Sequence, residues 1–300
     1  MAKSKAFLGQ FSDADLRLLK IFKIVADAKG LSAAEAKLNI SCSTISKYIG
    51  DLEQRLNLVL CVRGRGGFRL TDEGVSVYQA ITKLNGAIDN FKLSINELHE
   101  SISGTIRVGL FDKILSNPNA NLIEALERFT TLAPEVKLEL MVEPLNSIET
   151  NIVNEHLHLG IVPTIKQVSG IEYCPLFDEH MSLYRSPNLH LEGTDEQALM
   201  AIPYVGLGYY SPNMAISQTL NLISSAVASD QEAVAIMILT GKYIGFLPDH
   251  YAANFVAEKK LIKIENQRFT YDCSFKLIHK NSKKLNRPAS ILKKCLIDSH

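Results

Sequence analysis

Apolar residues recur at helical spacing from the start of the chain. Leu16, Leu19, Phe22 and Val25, widened by Leu18 and Ile21, predict an amphipathic helix over 13–28. Ser12 and Asp15 stand where a helix start is capped, and Lys29-Gly30 where a left-handed glycine would stop one. Ser32-Ala33-Ala34-Glu35 reads as the capping box of a short second helix ending near Leu38. After a turn at Asn39-Ile40, Ser41 caps a third helix. Its Ile45, Ile49, Leu52 and Leu56 form one stripe, opposite Ser43, Thr44, Ser46, Lys47 and Gln54. A strand-like run over 58–63, a turn at Gly64-Arg65-Gly66-Gly67 and a return over 68–71 predict a two-stranded ribbon.

From 72 onward the spacing changes. Val77, Ile81, Leu84, Ile88, Phe91, Ile95, Leu98 and Ile102 follow one another at alternating intervals of four and three, the seam of a coiled coil. A helix of that length spans about 38 Å. The stripe is narrow, suited to one partner helix, so Val77, Ile81, Leu84, Ile88, Phe91, Ile95 and Leu98 are the expected dimerisation contacts. Packing of the helix against its own domain is the alternative.

Beyond Ser103-Gly104-Thr105 strands and helices alternate. Strands are predicted at 105–110, 136–142, 159–162, 171–174, 181–184, 204–207, 222–228, 243–247 and 269–279, and helices at 118–131, 148–155, 231–239 and 288–297. Such alternation implies parallel sheets covered on both faces, here as two α/β lobes crossed near 162–165 and 267–271. The expected organisation is a mostly helical head over 1–71, a linker helix over 72–103 and an α/β domain over 104–300. Within the last, lobe I takes about 104–163 and 269–300 and lobe II about 164–268.

Composition changes this picture little and charge changes it more. With 46% hydrophobic residues the chain can bury a sizeable core, and no apolar run reaches the roughly 18 residues of a spanning helix. No signal-like segment opens it, so a cytoplasmic protein with no membrane partner is expected. Five scattered cysteines without a CxxC pair fit a reducing compartment, and no metal or cofactor is expected. His156-Leu157-His158 lacks the neighbours of a metal set. The 32 basic and 32 acidic residues cancel overall, yet residues 1–70 carry twelve Lys and Arg against six Asp and Glu. A polyanion-binding head on a more acidic body follows.

Two short helices joined by a tight turn, the second polar on its outer face, form the helix-turn-helix plan, and the ribbon after them is a wing. The amino end of the third helix offers N–H groups and hydroxyls to phosphate, and Lys47 can reach a guanine edge. The expected DNA-contacting residues are Ser32, Ser41, Cys42, Ser43, Thr44, Ser46 and Lys47, with Arg63, Arg65 and Arg69 from the wing. Intramolecular ion pairing is the competing role for Arg63 and Arg69.

The run from Ser41-Cys42-Ser43-Thr44-Ile45-Ser46-Lys47 to Gln54-Arg55-Leu56 resembles the recognition helix of LysR-type transcriptional regulators. Leu60 through Arg63 and Arg69-Leu70-Thr71-Asp72-Glu73-Gly74 resemble the wing and exit of that family. Gly104-Thr105-Ile106-Arg107-Val108-Gly109, Leu159-Gly160-Ile161-Val162 and Thr240-Gly241-Lys242-Tyr243-Ile244-Gly245-Phe246-Leu247-Pro248 resemble landmarks of its effector domain, which has the fold of periplasmic solute-binding proteins. Cys42-Ser43 stands where the family often has Gln-Pro, Cys61 where it often has an aromatic, and Gly50 lies inside the recognition helix.

The resemblance implies a transcriptional regulator that binds promoter or operator DNA, is not an enzyme, and forms a homodimer and then a homotetramer. It implies a small-molecule effector, with organic acids the candidate class, bound between the lobes outside the carboxyl ends of strands. The expected lining is Phe111, Asp112, Lys113, Asn146, Ser147, Pro163, Thr164, Gly208, Tyr209, Ser229 and Asp230, with helix N-termini after 117 and 229 facing a ligand carboxylate. A head that has lost sequence reading, suggested by Cys42-Ser43 and Gly50, is a competing reading. An enzyme using the cleft is another, but no nucleophile, base or metal grouping supports it.

Overall fold

The computed structural model describes residues 10–63, 67–98, 102–164, 166–189, 196–222, 224–281 and 285–300, and the chain divides into two compact units, Met1–Ile88 and Asp89–His300. In the first unit α1 (Asp13–Asp27), α2 (Leu31–Leu38) and α3 (Cys42–Leu56) enclose a core of Leu19, Phe22, Val25, Ala34, Ile45, Ile49, Leu52 and Leu56. The predicted stripe of α3 is buried throughout, whereas that of α1 is buried at Leu19, Ile21, Phe22 and Val25 and leaves Leu16 exposed. The Asp15 carboxylate accepts the Ser12 N–H at 2.7 Å at the start of α1 and takes two hydrogen bonds from Arg55 of α3, at 2.8 and 3.0 Å. That guanidinium holds the Asp15 carboxyl far below the usual carboxylate range.

Two end signals differ from expectation. The left-handed residue closing α1 is Lys29 at φ 52°, while Gly30 is extended and begins α2. Ser32 therefore lies inside the first turn of α2 and caps nothing. Glu35 turns its carboxylate to the Cys42 N–H at 2.9 Å, tying α2 to the start of α3. Asn39 and Asn57, both left-handed, end α2 and α3.

The wing strands β1 (Cys61–Val62) and β2 (Arg69–Leu70) pair antiparallel, Cys61 with Leu70 and Val62 with Arg69. The wing tip, where Arg65 was expected to meet DNA, lies outside the described residues. Thr71 then joins wing to helix: its hydroxyl donates to the Val59 carbonyl at 2.6 Å and accepts the Gly74 N–H at 2.9 Å. Gly74 has no room for a side chain, because a Cβ there would stand 1.8 Å from the Leu60 carbonyl oxygen.

α4 runs Asp72–Leu98. Its seam divides. Ile81 is buried in the head core, with Val77 and Leu84 packed against it, whereas Ile88, Phe91 and Ile95 are 36%, 65% and 37% exposed. The first part of the stripe therefore serves its own domain, as the alternative reading had it. Leu98 ends the helix, and its side chain lies outside the described ones.

The second unit carries β3 (Gly104–Leu110), α5 (Leu122–Leu132), β4 (Val136–Val142), α6 (Leu145–Val153), β5 (Leu159–Pro163), β6 (Ile171–Arg185), α7 (Glu196–Met200), β7 (Tyr204–Leu207), α8 (Pro212–Thr219), β8 (Ser224–Ala228), α9 (Gln231–Leu239), β9 (Ile244–Pro248), α10 (Asp249–Ala257), β10 (Ile262–Lys263), β11 (Thr270–Lys280) and α11 (Arg287–Asp298). Among the described residues the sheet order is β4-β3-β5-β11-β6-β9-β7-β8, with β10 on β6. Parallel β4-β3-β5 makes one lobe and parallel β9-β7-β8 the other.

Antiparallel β11 and β6 join the lobes: β6 pairs β11 over its length and β9 over Met181–Arg185. The expected strands at 171–174 and 181–184 are one continuous strand. Pro175 sits beside the register shift between Phe275 and Lys276, where a missing N–H is tolerated. The first passage between lobes is thus made within β6, not at 162–165. α5 starts at Leu122, not 118, after a 3₁₀ turn at Ile114–Ser116 and a left-handed Asn121. Among the described residues no helix is long and apolar enough to cross a membrane.

Candidate DNA interface and effector cleft

The amino end of α3 is a cluster of hydroxyls. Ser41 Oγ lies 2.9 Å from both Ser43 Oγ and Thr44 Oγ1 and accepts the Thr44 N–H at 3.3 Å. Two of the N–H groups expected to face phosphate are therefore already used, Cys42 by Glu35 and Thr44 by Ser41. What remains outward is hydroxyl and ammonium: Ser41, Ser43 and Lys47 are exposed, with Thr44 and Ser46 half-buried beside them. Cys42 Sγ packs 3.5 Å from Ser32 Oγ of α2.

The wing arginines separate. Arg63 is committed within the protein, its Nη2 2.9 Å from Glu53 and its Nη1 donating to the Ser46 carbonyl at 3.3 Å. The other oxygen of Glu53 accepts the N–H groups of Leu60 and Cys61. One carboxylate thereby fixes the root of the wing on α3. Arg69 is exposed on β2.

The expected cleft residues gather where the lobes face each other. Phe111 meets Tyr209 edge-on at 6.4 Å and Phe275 at 6.1 Å. Asp112 Oδ2 accepts the Gln231 N–H at the start of α9 at 2.7 Å, and Lys113 reaches Glu232 at 3.0 Å and the Tyr251 ring at 4.8 Å. Asp230 caps α9 by accepting the Ala233 N–H, and Ser229 donates to Asp230 at 2.8 Å. Pro163 ends β5, the Thr164 N–H donates to the Ser274 carbonyl, and the Gly208 N–H donates to the Ala228 carbonyl. Asn146 and Ser147 sit on the first turn of α6.

Among the described residues, Asp112 Oδ1, Gln231 Oε1 and Thr164 Oγ1 are buried without a hydrogen-bond partner. Burial pushes the Asp112 carboxyl up and raises the Tyr209 hydroxyl well above its ordinary value. The amino end of α9, expected to be open to a ligand acid, is instead occupied by Asp112 and Asp230. The helix expected after 117 begins later, so its N-terminus is displaced as well.

A second polar link was not foreseen. Buried Glu179 of β6 lies 2.8 Å from His250 Nε2, and His250 Nδ1 lies 2.9 Å from Ser116 Oγ. Burial raises the Glu179 carboxyl, which the hydrogen bond from His250 partly offsets. Glu179 fell in a segment read as a gap between strands, and His250 in a helix without an apolar stripe. Alternation continued through 175–180 was the signal that could have found Glu179.

Comparison with known proteins settles what this pairing of units is. The family model described as "Bacterial regulatory helix-turn-helix protein, lysR family" matches residues 16–75, and that described as "LysR substrate binding domain" matches residues 99–299. The chain belongs to the LysR family. It is 40% identical over 302 residues to the HTH-type transcriptional activator BauR of Pseudomonas aeruginosa, covering 99% of this chain and 98% of that one. The fold is shared with crystallised CbnR, a LysR family transcriptional regulator, at TM-score 0.64 and 18% identity over 95% of this chain and 98% of that one. Full-length CbnR complexed with target DNA gives TM-score 0.64 at 19% identity, over 95% and 99%.

This LysR family member is therefore a DNA-binding transcriptional regulator with an effector-binding α/β domain, and not an enzyme. The family binds DNA and self-associates. The head supplies the helix-turn-helix with its wing, and the two lobes supply the effector domain.

Proposed function

We propose that the regulator reads operator DNA with the amino end of α3. Ser41, Ser43, Thr44, Ser46 and Lys47 face the major groove, Arg69 and Arg65 meet the phosphate backbone, and Ser32 and Cys42 lie at the edge of the contact. Two protomers join through Ile88, Phe91 and Ile95 of α4 to present paired half-sites, and two such dimers form a tetramer. The resemblance to a relative named as an activator favours activation, in the cytoplasm where promoters are.

The effector is a small organic acid bound between the lobes. The observation that carries this reading is Asp112, which reaches from one lobe to the N–H of Gln231 on the other and keeps one oxygen buried without a partner. A ligand carboxylate would take the place of Asp112 at the amino end of α9, and Phe111, Tyr209 and Thr164 would line it. Differential affinity for two lobe arrangements then shifts the contacts made at the half-sites.

Selection of DNA fragments by the full-length protein, sequenced with and without a pool of small organic acids, tests both parts. A paired motif whose enrichment changes with the pool is expected. No enrichment over random DNA would overturn the DNA-reading claim, and a motif indifferent to every acid would overturn the claim about the effector.

A further inference from the structure

Away from the cleft, β6 and β11 run side by side with Glu172 paired to His279 and Cys174 paired to Leu277. Alternation places Glu172 and Cys174 on one face of the sheet. His279 Nε2 lies 3.4 Å from Glu172 Oε1, Cys174 Sγ lies 3.9 Å from the same oxygen, and the three ligand atoms all lie within 4.8 Å of one another. Around a tetrahedral zinc ion, nitrogen, oxygen and sulfur ligands stand about 3.5 Å apart. The cluster is therefore close to that spacing already.

The imidazole is oriented for such a role. His279 Nδ1 lies 3.1 Å from the Lys280 carbonyl oxygen, a contact that requires the ring N–H there and leaves the lone pair on Nε2. Lys293 of α11 donates into that lone pair at 2.8 Å and to Glu172 Oε1 at 3.1 Å, and it also meets the Cys174 thiol. A positive charge thus already occupies the point on which the three donors converge. Glu172 is 46% exposed, which leaves a route from solvent, while His279 is buried and held.

We propose that Glu172, Cys174 and His279 form a zinc-type metal site in which the Lys293 ammonium is the cation that the metal displaces. One nitrogen, one sulfur and one carboxylate oxygen favour a borderline ion over magnesium or calcium. Binding takes the thiol proton off to solvent, forms the sulfur–metal bond, and leaves the fourth position to water. It also releases the tie that Lys293 makes between α11 and the β6–β11 pair.

Cobalt(II), titrated into the full-length, reduced, metal-free protein, is the probe. A thiolate-to-cobalt charge-transfer band in the near ultraviolet, with the strong visible bands of four-coordinate cobalt, is expected, and zinc should abolish both. Cys174→Ser should lose the charge-transfer band although Cys42, Cys61, Cys273 and Cys295 remain. Lys293→Met should tighten cobalt binding by about tenfold or more, since it removes hydrogen bonds from a charged competitor. In the unmutated protein, zinc should protect Cys174 from alkylation. No band in either the unmutated protein or Lys293→Met, a band that persists in Cys174→Ser, or zinc protection absent from Cys174 would each overturn the proposal.

Discussion

Burial keeps the His158 imidazole neutral, and acid should expose the cost of that. The residue is 9% exposed, and its Nδ1 accepts the Arg107 N–H at 3.0 Å. Burial first, and the charge of Arg107 second, lower its pKa from 6.5 to about 4. The unfolded chain takes up the proton near 6.5 while the folded one resists it until about 4. Its contribution to stability is therefore complete above the upper value and lost as pH falls through that window, by up to about 3 kcal/mol. Urea unfolding followed by tyrosine fluorescence at about pH 7.5 and about pH 5 should show the loss. His158→Gln keeps an acceptor and does not titrate, so its two curves should lie closer together. Equal acid sensitivity in that variant would place the effect on other groups.

Among the elements, α4 shows what periodicity conveys and what it leaves out. Its heptad spacing is legible in the sequence, but the spacing is the same whether a position meets the protein's own core or another helix. Ile81→Asp places a charge in the head core and should unfold the head, at a cost of several kcal/mol. Phe91→Asp should leave circular dichroism unchanged and shift light scattering from dimer toward monomer. An unchanged dimer would show that the outer seam is not the contact.

Elsewhere the readable elements were those with a strong period or cap. α1, α3, β3, β4, β7 and α9 announce themselves, whereas α10 has no continuous apolar stripe and α8 begins at Ser211-Pro212 within what reads as loop. Strands expected separately at 171–174 and 181–184 are one strand, because the pairing with β11 continues between them. Strand ends alone point to Phe111, Asp112, Thr164, Tyr209 and Asp230 as the proposed cleft lining. Glu179 and His250 were not legible, because their pairing joins a strand and a helix far apart in sequence that only the folded domain brings together.

At the scale of the whole molecule, the charge is uneven, with a net +6 over residues 1–70 balanced by the remainder. The twelve basic side chains of that segment overstate the number of cations available to DNA. Arg55 is bound to Asp15 and Arg63 to Glu53, so each already has its counter-charge inside the protein. Binding to DNA releases condensed cations only for phosphates met by side chains that reach them, and the logarithm of affinity falls with the logarithm of salt by about 0.9 per phosphate neutralised on duplex DNA. Lys47→Ala should flatten that slope by about 1 for each protomer on the operator. Arg63→Ala should weaken binding by loosening the root of the wing while leaving the slope unchanged. The carboxylate of Glu53 thus turns Arg63 from a charge for DNA into a brace for the wing, and leaves the protein's grip on DNA less sensitive to salt than its count of basic residues suggests.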